Sequence, residues 1–415
     1  MKTTSENNRA EAPRKTPLRP STILTQRQRR GLYISLSTAL FVLVVGWRNV
    51  HAISTDFGYN MDLIFYTGCA LEFKYDNIET IQKKTYEAIR KSVNTRHFKF
   101  LTAKNWKRKL YYSEPEHFAN MLPFYRSRVM FTGAMYLLHE AGVSVSESAK
   151  VLNTGAYAVA SILILVWLTR RFSWIVGPLL AAGLLSAPYL TKTARLATPD
   201  MLLTMWIVGC LFALIELGKR RTGLILLLLS LLIRPDSIIF IVLLVPALRL
   251  FNAGQTSKLS NRWTIGLLLS TVGIFLITKH AMDGYGWWIV LQYTSNNHNP
   301  HLDELAATFD IWTYIDLLGN RLKRLGDGVI FPHLSLAILG IYVTVKKGRL
   351  KSRPQYAVPL AVITICCVTR FILFPVLWDR LYLAYVVAIE MLAFSAVSYC
   401  LNPANAQDIT VDNGK

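Results

Sequence analysis

Two carboxylates lie where a long apolar segment ends. Asp56 and Asp62 follow the apolar run Leu32 to Trp47. A charged side chain close to the hydrocarbon region of a membrane is costly, and such residues are functional candidates by default. A carboxylate in this position can accept the proton of an attacking hydroxyl group, acting as a general base. We expect one of the two acids to do this chemistry.

The spacing of the two acids favours Asp62. Six residues of helix correspond to about 600° of rotation, so the side chains of Asp56 and Asp62 point about 120° apart and do not readily share one role. Tyr66 lies one helical turn after Asp62, on the same face. We therefore predict Asp62 as the catalytic carboxylate and keep Asp56 as the alternative. Asp56 also fits a helix-terminal cap or a solvated acid.

Arginines from distant segments are the candidate partners of an anion. The planar guanidinium group suits a phosphate that gains charge as it leaves. Simpler interpretations stay open: Arg126 and Arg128 also fit contacts with lipid headgroups, and Arg380 also fits snorkelling toward the interface. Arg234 also fits a local ion pair with Asp236. The arginines predicted to bind a donor phosphate are Arg380, Arg195, Arg126, Arg128 and Arg234.

Five further polar residues are predicted to line the same pocket. The sequence Thr198–Pro199–Asp200 also has the composition of a helix start, with a threonine cap, a proline in the first position and an acid near the helix dipole. Such a helix start can help to hold the same anion. The cysteines show no metal-ligand spacing, and we expect neither a metal nor another cofactor. The predicted pocket residues are Tyr66, Asp200, Asp236, Lys279 and His280.

The composition places these residues in a membrane protein. Of 415 residues, 52% are hydrophobic and only 17% are charged. The apolar residues are concentrated in blocks of about 17–22, the length that crosses a hydrocarbon core. We therefore predict an all-α polytopic membrane protein. The net charge of +21 fits basic cytoplasmic loops near anionic lipid headgroups, so membrane lipids are expected partners and nucleic acid is not.

Basic clusters between the apolar blocks set the predicted topology. If each cluster is cytoplasmic, about ten transmembrane helices follow, and both termini lie inside. One short apolar block, residues 129–142, would reverse the sidedness of everything downstream if it crossed the membrane. We assign it to a helix lying in the outer interface. The predicted crossings are 32–53, 150–169, 172–190, 200–217, 222–234, 236–249, 264–280, 329–345, 356–375 and 381–400.

This topology divides the chain into a membrane domain and two tails. Residues 1–30 form a disordered basic cytoplasmic tail, residues 31–401 form the transmembrane domain, and residues 402–415 form a second cytoplasmic tail. Two large outer loops span about 54–148 and 281–328, with interfacial helices in the first. Every candidate site residue then lies at the outer face. The strongly basic middle of the first loop fits an anionic acceptor or a surface that contacts headgroups.

In its motifs and their order the chain resembles the GT-C superfamily of membrane glycosyltransferases, which includes protein O-mannosyltransferases and aminoarabinose transferases. The segment MDLIFYTGCAL is similar to the D-x-x-x-Y pattern of that family, with Asp62 and Tyr66 in the defining positions. The segment ARLATPD, with Arg195 and Asp200, is similar to an arginine followed by an acid in the second outer loop. Trp378 and Arg380 resemble a late W-x-R near an outer helix end.

The resemblance implies an inverting glycosyltransferase. Such an enzyme would transfer one sugar from a polyprenyl-phosphate-linked donor to a hydroxyl group of a glycolipid, glycan or protein acceptor. It implies Asp62 as the general base, Arg380 and Arg195 as ligands of the donor phosphate, and no metal. We expect an integral protein of a bacterial inner membrane, with its active site facing the periplasm.

Two other classes of function stay open. A transporter or flippase of lipid-linked sugars would place its polar site near the bilayer midplane, between inverted repeats; here the polar residues cluster at one leaflet and no repeat is visible. A noncatalytic envelope-assembly protein would need no such cluster. Transfer or hydrolysis of a polyprenyl-linked sugar separates the enzyme from both, whereas substrate accumulation in sealed vesicles favours the transporter.

Overall fold

The computed structural model describes residues 26–251, 260–295, 308–324, 330–346 and 354–401, together with residues 305 and 326. Within these ranges the chain is helical throughout, and its only β-type pairing is one isolated bridge between Gly58 and Leu196. The predicted all-α class is therefore confirmed. The predicted tail 402–415 and most of the tail 1–30 lie outside the described residues, as do parts of the second outer loop.

Twenty α-helices follow one another in the described ranges. A π-helical turn, Phe212–Glu216, extends α12, and a 3₁₀ turn, Pro235–Ser237, precedes α14. The helices are α1 Gln26–Thr55, α2 Met61–Leu71, α3 Ile78–Ser92, α4 Thr95–Ala103, α5 Trp106–Ser113, α6 Pro115–Met121, α7 Pro123–Arg126, α8 Val129–Glu140, α9 Val145–Arg171, α10 Val176–Leu185, α11 Pro188–Ala194, α12 Asp200–Leu211, α13 Arg220–Ile233, α14 Ile238–Leu250, α15 Asn261–Ala281, α16 Trp287–Ser295, α17 Ile311–Leu322, α18 Ile330–Lys346, α19 Pro354–Leu373 and α20 Asp379–Leu401.

Four helices in the described ranges are long and apolar enough to cross a membrane: Val145–Arg171, Asn261–Ala281, Tyr356–Leu373 and Asp379–Ser398. Exposed apolar side chains such as Ile162 and Ile277, which are 62% and 68% exposed, form the surface that a bilayer would cover. All ten predicted crossings coincide with helices, but the number of crossings stays a prediction.

The third predicted crossing is divided between α10 and α11. Pro188 opens α11, and Ala187 before it has an extended backbone with φ −60° and ψ 132°. A residue that precedes proline is driven out of the helical region by the proline ring. The break brings the chain to the segment between α11 and α12, where the N–H of Gly58 donates to the Arg195 carbonyl at 2.7 Å.

The first predicted outer loop folds into the short helices α2 to α8. Asparagine caps begin three of them: the side chains of Asn77, Asn94 and Asn105 accept hydrogen bonds from backbone N–H groups at the starts of α3, α4 and α5. Helix α8 has 12 residues and a length of about 18 Å, too short to cross a hydrocarbon core of about 30 Å. It packs on α2 and α9, and its assignment to the outer interface stays a prediction.

Helix α20 lies at the centre of the helix bundle and packs against α12, α18 and α19. Small residues such as Ala384, Ala388 and Ala396 are buried along it, so neighbouring helices can approach closely. The indole N–H of Trp167 in α9 donates to the Ser395 hydroxyl at 3.0 Å. These contacts fix the position of α20 and therefore of Arg380, the second residue of that helix.

Candidate active site

Asp62 and Arg380 form a direct ion pair between the starts of two helices. Asp62 is the second residue of α2 and Arg380 the second residue of α20, 318 positions further along the chain. The two side chains are 19% and 20% exposed. The Asp62 carboxylate also accepts hydrogen bonds from the Tyr125 hydroxyl and from the Asn60 amide, each at 2.9 Å. The predicted acid and the predicted arginine therefore meet at one site.

The surroundings of Asp62 keep it ionised. Burial alone raises the pKa of this carboxyl group, because it disfavours the charged form. The Arg380 charge and the hydrogen bonds from Arg380 and Tyr125 act in the opposite direction and outweigh burial, so the pKa lies below its ordinary value of 3.8. Asp62 is therefore a carboxylate at neutral pH, which is the form a general base requires.

Tyr66 and Arg128 lie beside this pair. The Tyr66 ring is buried and packs edge-on against Tyr125 and Phe131, with ring centroids 4.9 and 5.1 Å apart. The Arg128 guanidinium donates to the Ser127 hydroxyl at 3.2 Å, and in the described part of the chain no carboxylate lies within ion-pair distance of it. Its charge lowers the pKa of Asp62. Arg128 is therefore a cation near the carboxylate that is available for a ligand.

A second ionic network adjoins the first. Arg234 pairs with Asp200 and, through two hydrogen bonds of 3.1 Å, with Asp236. Arg370 pairs with the same Asp236, and its guanidinium lies 5.6 Å from the centroid of the Tyr382 ring. The side chains of Asp200, Arg234 and Arg370 are buried. Arg234 thus makes the local pair with Asp236 that its sequence allowed. Its guanidinium N–H groups donate to two carboxylates, those of Asp236 and Asp200.

Tyr66 connects the two networks. Burial raises the pKa of its hydroxyl, and the charges of Arg128, Asp62, Asp200 and Arg234 all act on it. The charges of both networks therefore influence the Tyr66 hydroxyl. Arg370, which is absent from our predicted site residues, completes the second network. Its position in the apolar helix α19 was the available signal, since arginine within such a helix needs a partner.

Other predicted residues lie apart from Asp62. Arg126 is bound in bidentate fashion to Glu72, with Nε–O distances of 3.1 and 2.9 Å and an Nη2–O distance of 2.6 Å. Asp56 is 68% exposed, and its carboxylate lies 3.8 Å from Nη1 of Arg195, which is itself 37% exposed. Of the two candidate bases, the buried site contains Asp62 and leaves Asp56 at the surface.

Lys279 and His280 lie at the end of α15, where both side chains are exposed. In the described ranges no side-chain hydrogen bond or ion pair joins either of them to the two ionic networks. At the end of a helix, a small rotation of the helix about its axis changes the direction in which the last side chains point. Hydropathy placed these two residues at the correct end of α15 but did not define the face.

A pocket of about 360 Å³ has neighbours of Asp62 and Arg380 in its wall. Its wall includes Met61, which precedes Asp62, and Trp378, whose ring centroid lies 4.9 Å from the Arg380 guanidinium carbon. Lys107, Arg108 and Arg321 also line this pocket. We call this the basic pocket. The basic middle of the first loop indicated part of it, but Arg321 comes from α17, and nothing in its local sequence connects it with α5.

Comparison with known proteins adds no family assignment. The chain matches no protein-family model, no curated protein and no solved structure. Among the described residues no group of three or more His, Cys, Asp or Glu side chains converges as metal ligands do. Of the residues that carry the resemblance to the GT-C superfamily, Asp62, Tyr66 and Arg380 meet at one place. Arg195 is half-buried and lies apart from them, beside the exposed Asp56.

Proposed function

We propose that this protein is an inverting glycosyltransferase of the GT-C type. It transfers a single sugar from a polyprenyl-phosphate-linked donor to an acceptor hydroxyl group at the extracytoplasmic face of a membrane. The observation that carries the proposal is the ionised Asp62, paired with Arg380 from the far end of the chain and placed beside a cation-lined pocket. A pair that served packing alone would need no such pocket.

The reaction exchanges one bond at the anomeric carbon for another. The acceptor oxygen attacks this carbon from the side opposite the phosphate, and the bond between the carbon and the phosphate oxygen breaks. The leaving phosphate keeps the electron pair and becomes the polyprenyl monophosphate. The proton of the acceptor hydroxyl passes to an oxygen of Asp62. A glycolipid, glycan or protein hydroxyl fits this role, and the configuration at the anomeric carbon inverts.

Arg128 and Arg380 are the arginines placed to hold the donor phosphate. Arg128 has no carboxylate partner in the described residues, and the Arg380 pair with Asp62 is one that a phosphate can replace. When a phosphate draws Arg380 away, Asp62 loses the charge that most strongly opposes the effect of burial. Its pKa then rises, and it becomes a stronger base. Donor binding thereby activates the carboxylate.

Replacing Asp62→Asn tests the proposal. We expect transfer from a labelled polyprenyl-phosphate sugar by the purified protein to fall by about 100-fold or more, since general-base catalysis contributes about 10²–10⁴-fold. Unfolding in detergent is measured in parallel, because leaving Arg380 without its partner in a largely buried site costs about 3–5 kcal/mol.

Asp56→Asn is the matched control. It removes the same charge six residues earlier, from an exposed side chain, and transfer should stay within about twofold of wild type because exposed ion pairs contribute only about 0–1 kcal/mol. Undiminished transfer by the Asp62→Asn protein would remove Asp62 from the role of base. Loss of transfer in Asp56→Asn alone would assign that role to Asp56.

A transporter of lipid-linked sugars is the second candidate, and one observation favours it. Glu390 in α20 accepts hydrogen bonds of 2.7 Å from the Tyr189 hydroxyl, and one of its oxygens lies 3.1 Å from Nε2 of His333. Glu390 is ten residues after Arg380, about 15 Å along the helix. Ionisable residues within membrane helices often line ion or proton pathways. Accumulation of labelled donor in sealed vesicles without any transfer would favour transport.

A further inference from the structure

Helices α4 and α5 carry a concentration of positive charge that their neighbour α3 does not share. Residues 95–113 contain six lysine and arginine residues and no aspartate or glutamate. In α3 the basic residues are instead interspersed with Glu79 and Glu87. Acids placed three or four residues from basic residues are usual on a solvated helix surface. The composition of α4 and α5 is therefore not that of an ordinary solvated helix.

One face of α4 combines cations with an aromatic ring and points out of the fold. Arg96, Lys99 and Phe100 are exposed, and their spacing of i, i+3 and i+4 places them on the same face of the helix. Leu101 and Thr102 lie on the other side of the helix and are buried. The core contacts of α4 therefore leave a face of mixed basic and aromatic character exposed.

The exposed aromatic rings and the cations contact one another across the two helices. Phe100 is 41% exposed and Trp106 is 55% exposed. The ammonium nitrogen of Lys104 lies 4.7 Å from the centroid of the Phe100 ring, and the guanidinium carbon of Arg108 lies 4.4 Å from it. Rings and cations are thus parts of one surface, which we call the basic aromatic surface. It comprises the exposed residues Arg96, Lys99, Phe100, Lys104 and Trp106.

Contacts with two long helices fix the position of this surface. On α4, Nε2 of His97 lies 2.7 Å from the carbonyl oxygen of Tyr59, in the segment that follows the end of α1. Just before α4, the hydroxyl oxygens of Ser92 and Ser146 lie 2.6 Å apart, and Ser146 is the second residue of α9. Helix α9 is long and apolar enough to cross a membrane. A bilayer that covers the apolar part of α9 therefore has its headgroups close to α4.

We propose that the basic aromatic surface binds anionic phospholipid headgroups of the nearest leaflet, which is the outer one in the predicted topology. Lysine and arginine near a membrane surface are attracted to anionic lipids by charge complementarity. Aromatic rings beside them enter the boundary between headgroups and acyl chains. The position next to α9 favours a lipid surface over a soluble acidic partner. This inference concerns attachment to the bilayer and does not depend on Asp62 or on sugar transfer.

Site-resolved amine labelling of the full-length protein tests the proposal. The purified wild-type protein is reconstituted into nanodiscs of phosphatidylcholine, with or without phosphatidylglycerol, and treated with an uncharged acetylating reagent. Mass spectrometry of its peptides gives the labelling rate of each lysine. We expect Lys99 and Lys104 to react about threefold more slowly in the discs with phosphatidylglycerol, because anionic headgroups cover their ammonium groups. Salt at about 0.5 M should remove this protection by screening the charges.

Lys83 is the matched control within the same protein. It is exposed on α3, outside the basic aromatic surface, and Glu79 and Glu87 lie one helical turn away on either side. Its labelling rate should be the same in the two kinds of disc, because its surroundings carry no excess of positive charge.

The double variant Arg96→Gln with Lys99→Gln removes two charges from the surface and leaves Lys104 as the reporter. We expect Lys104 in this variant to be labelled at nearly the same rate in both kinds of disc, because anionic lipid is attracted by the charges together. Both replaced side chains are exposed, so the unfolding temperature should equal that of wild type.

Three results would overturn the inference. The first is equal labelling of Lys99 and Lys104 in the two kinds of disc, and the second is protection of Lys83 to the same extent. The third is protection of Lys99 and Lys104 by added polyglutamate in discs of phosphatidylcholine but not by phosphatidylglycerol, which would assign the surface to a soluble acidic partner. If phosphatidylglycerol protects the surface but no protein transfers sugar, the lipid proposal stands and the glycosyltransferase proposal fails.

Discussion

Asp62 is held by three donors that come from three different parts of the chain. Asn60 lies just before α2, Tyr125 lies in α7, and Arg380 is the second residue of α20. This arrangement satisfies both carboxylate oxygens and fixes the side chain in one orientation. The folded pKa lies below the unfolded value, so ionised Asp62 contributes stability above about pH 4 that is lost as the pH falls through the folded pKa.

The pH dependence of transfer follows from these donors. In the wild-type enzyme we expect kcat/KM to show no loss from Asp62 protonation down to about pH 4, because the pKa of the free carboxyl group is below its ordinary value. In Tyr125→Phe one hydrogen bond to the carboxylate is lost, burial remains, and the acidic limb of the profile moves to higher pH.

Profiles of kcat/KM against pH for the two proteins check this expectation. Tyr111→Phe is a suitable control, because Tyr111 is a buried tyrosine of the same aromatic cluster with no hydrogen bond to Asp62. An acidic limb that stays in place in Tyr125→Phe would show that Tyr125 does not stabilise the ionised base.

At the scale of single elements, α2 is the helix that positions the base, and its packing is tight. Gly68 faces α6, and a Cβ atom added there would lie 2.7 Å from Cζ of Phe118 and 3.0 Å from Cδ2 of Leu122. Phe118 is fully buried and packs on Phe65. The ring cannot turn aside without moving its neighbours, so the absence of a side chain at Gly68 sets how closely α2 approaches α6.

Gly68→Ala should destabilise the protein by about 1–3 kcal/mol, the usual range for overpacking. Transfer should fall as well, because the displaced α2 carries Asp62. Gly133→Ala is the control: it lies in the apolar helix α8, with nothing within 4 Å of an added Cβ. Alanine there should be neutral or stabilise by up to about 1 kcal/mol. Equal unfolding temperatures for the two variants in detergent would contradict the tight contact at Gly68.

The sequence predicts the positions of the helices better than it predicts the contacts between them. Apolar length located the helices, and asparagine caps and proline mark several of their ends, so α9, α15 and α20 fall close to their predicted positions. The predicted topology placed Asp62 and Arg380 at the same end of the bundle, where the structure brings them together. Their direct pairing did not, because hydropathy specifies a level along the membrane normal and gives no distance within that level. The Arg370–Asp236 contact likewise depends on how α14 packs against α19.

At the scale of the whole molecule, one arrangement of the chain across the membrane accounts for the site. The candidate groups on α2, α12, α13, α19 and α20 converge at one end of the bundle. The opposite end of the bundle contains the ion pair between Arg171, the last residue of α9, and Glu216, in the π turn after α12. We predict that the first of these ends faces outward and the second faces the cytoplasm, as the basic clusters require.

Single cysteines report this sidedness in intact cells. A membrane-impermeant maleimide should label Lys109→Cys from outside, since Lys109 is exposed on α5. It should label Lys219→Cys, exposed after the π turn, only once the cells are permeabilised. The variants are made in a Cys400→Ser background, which is also the control, and the other four cysteines, Cys69, Cys210, Cys366 and Cys367, are buried. Labelling of both variants in intact cells would contradict the proposed topology.

The ion pair that unites residues 318 positions apart has a consequence for synthesis. A ribosome delivers Asp62 318 residues before Arg380, so the partly made chain carries the acid without this counter-charge throughout that interval. The nascent protein has no complete site until α20 enters the membrane. Any chain that stops short of Arg380 exposes an unmatched carboxylate, a defect that membrane proteases and chaperones can recognise.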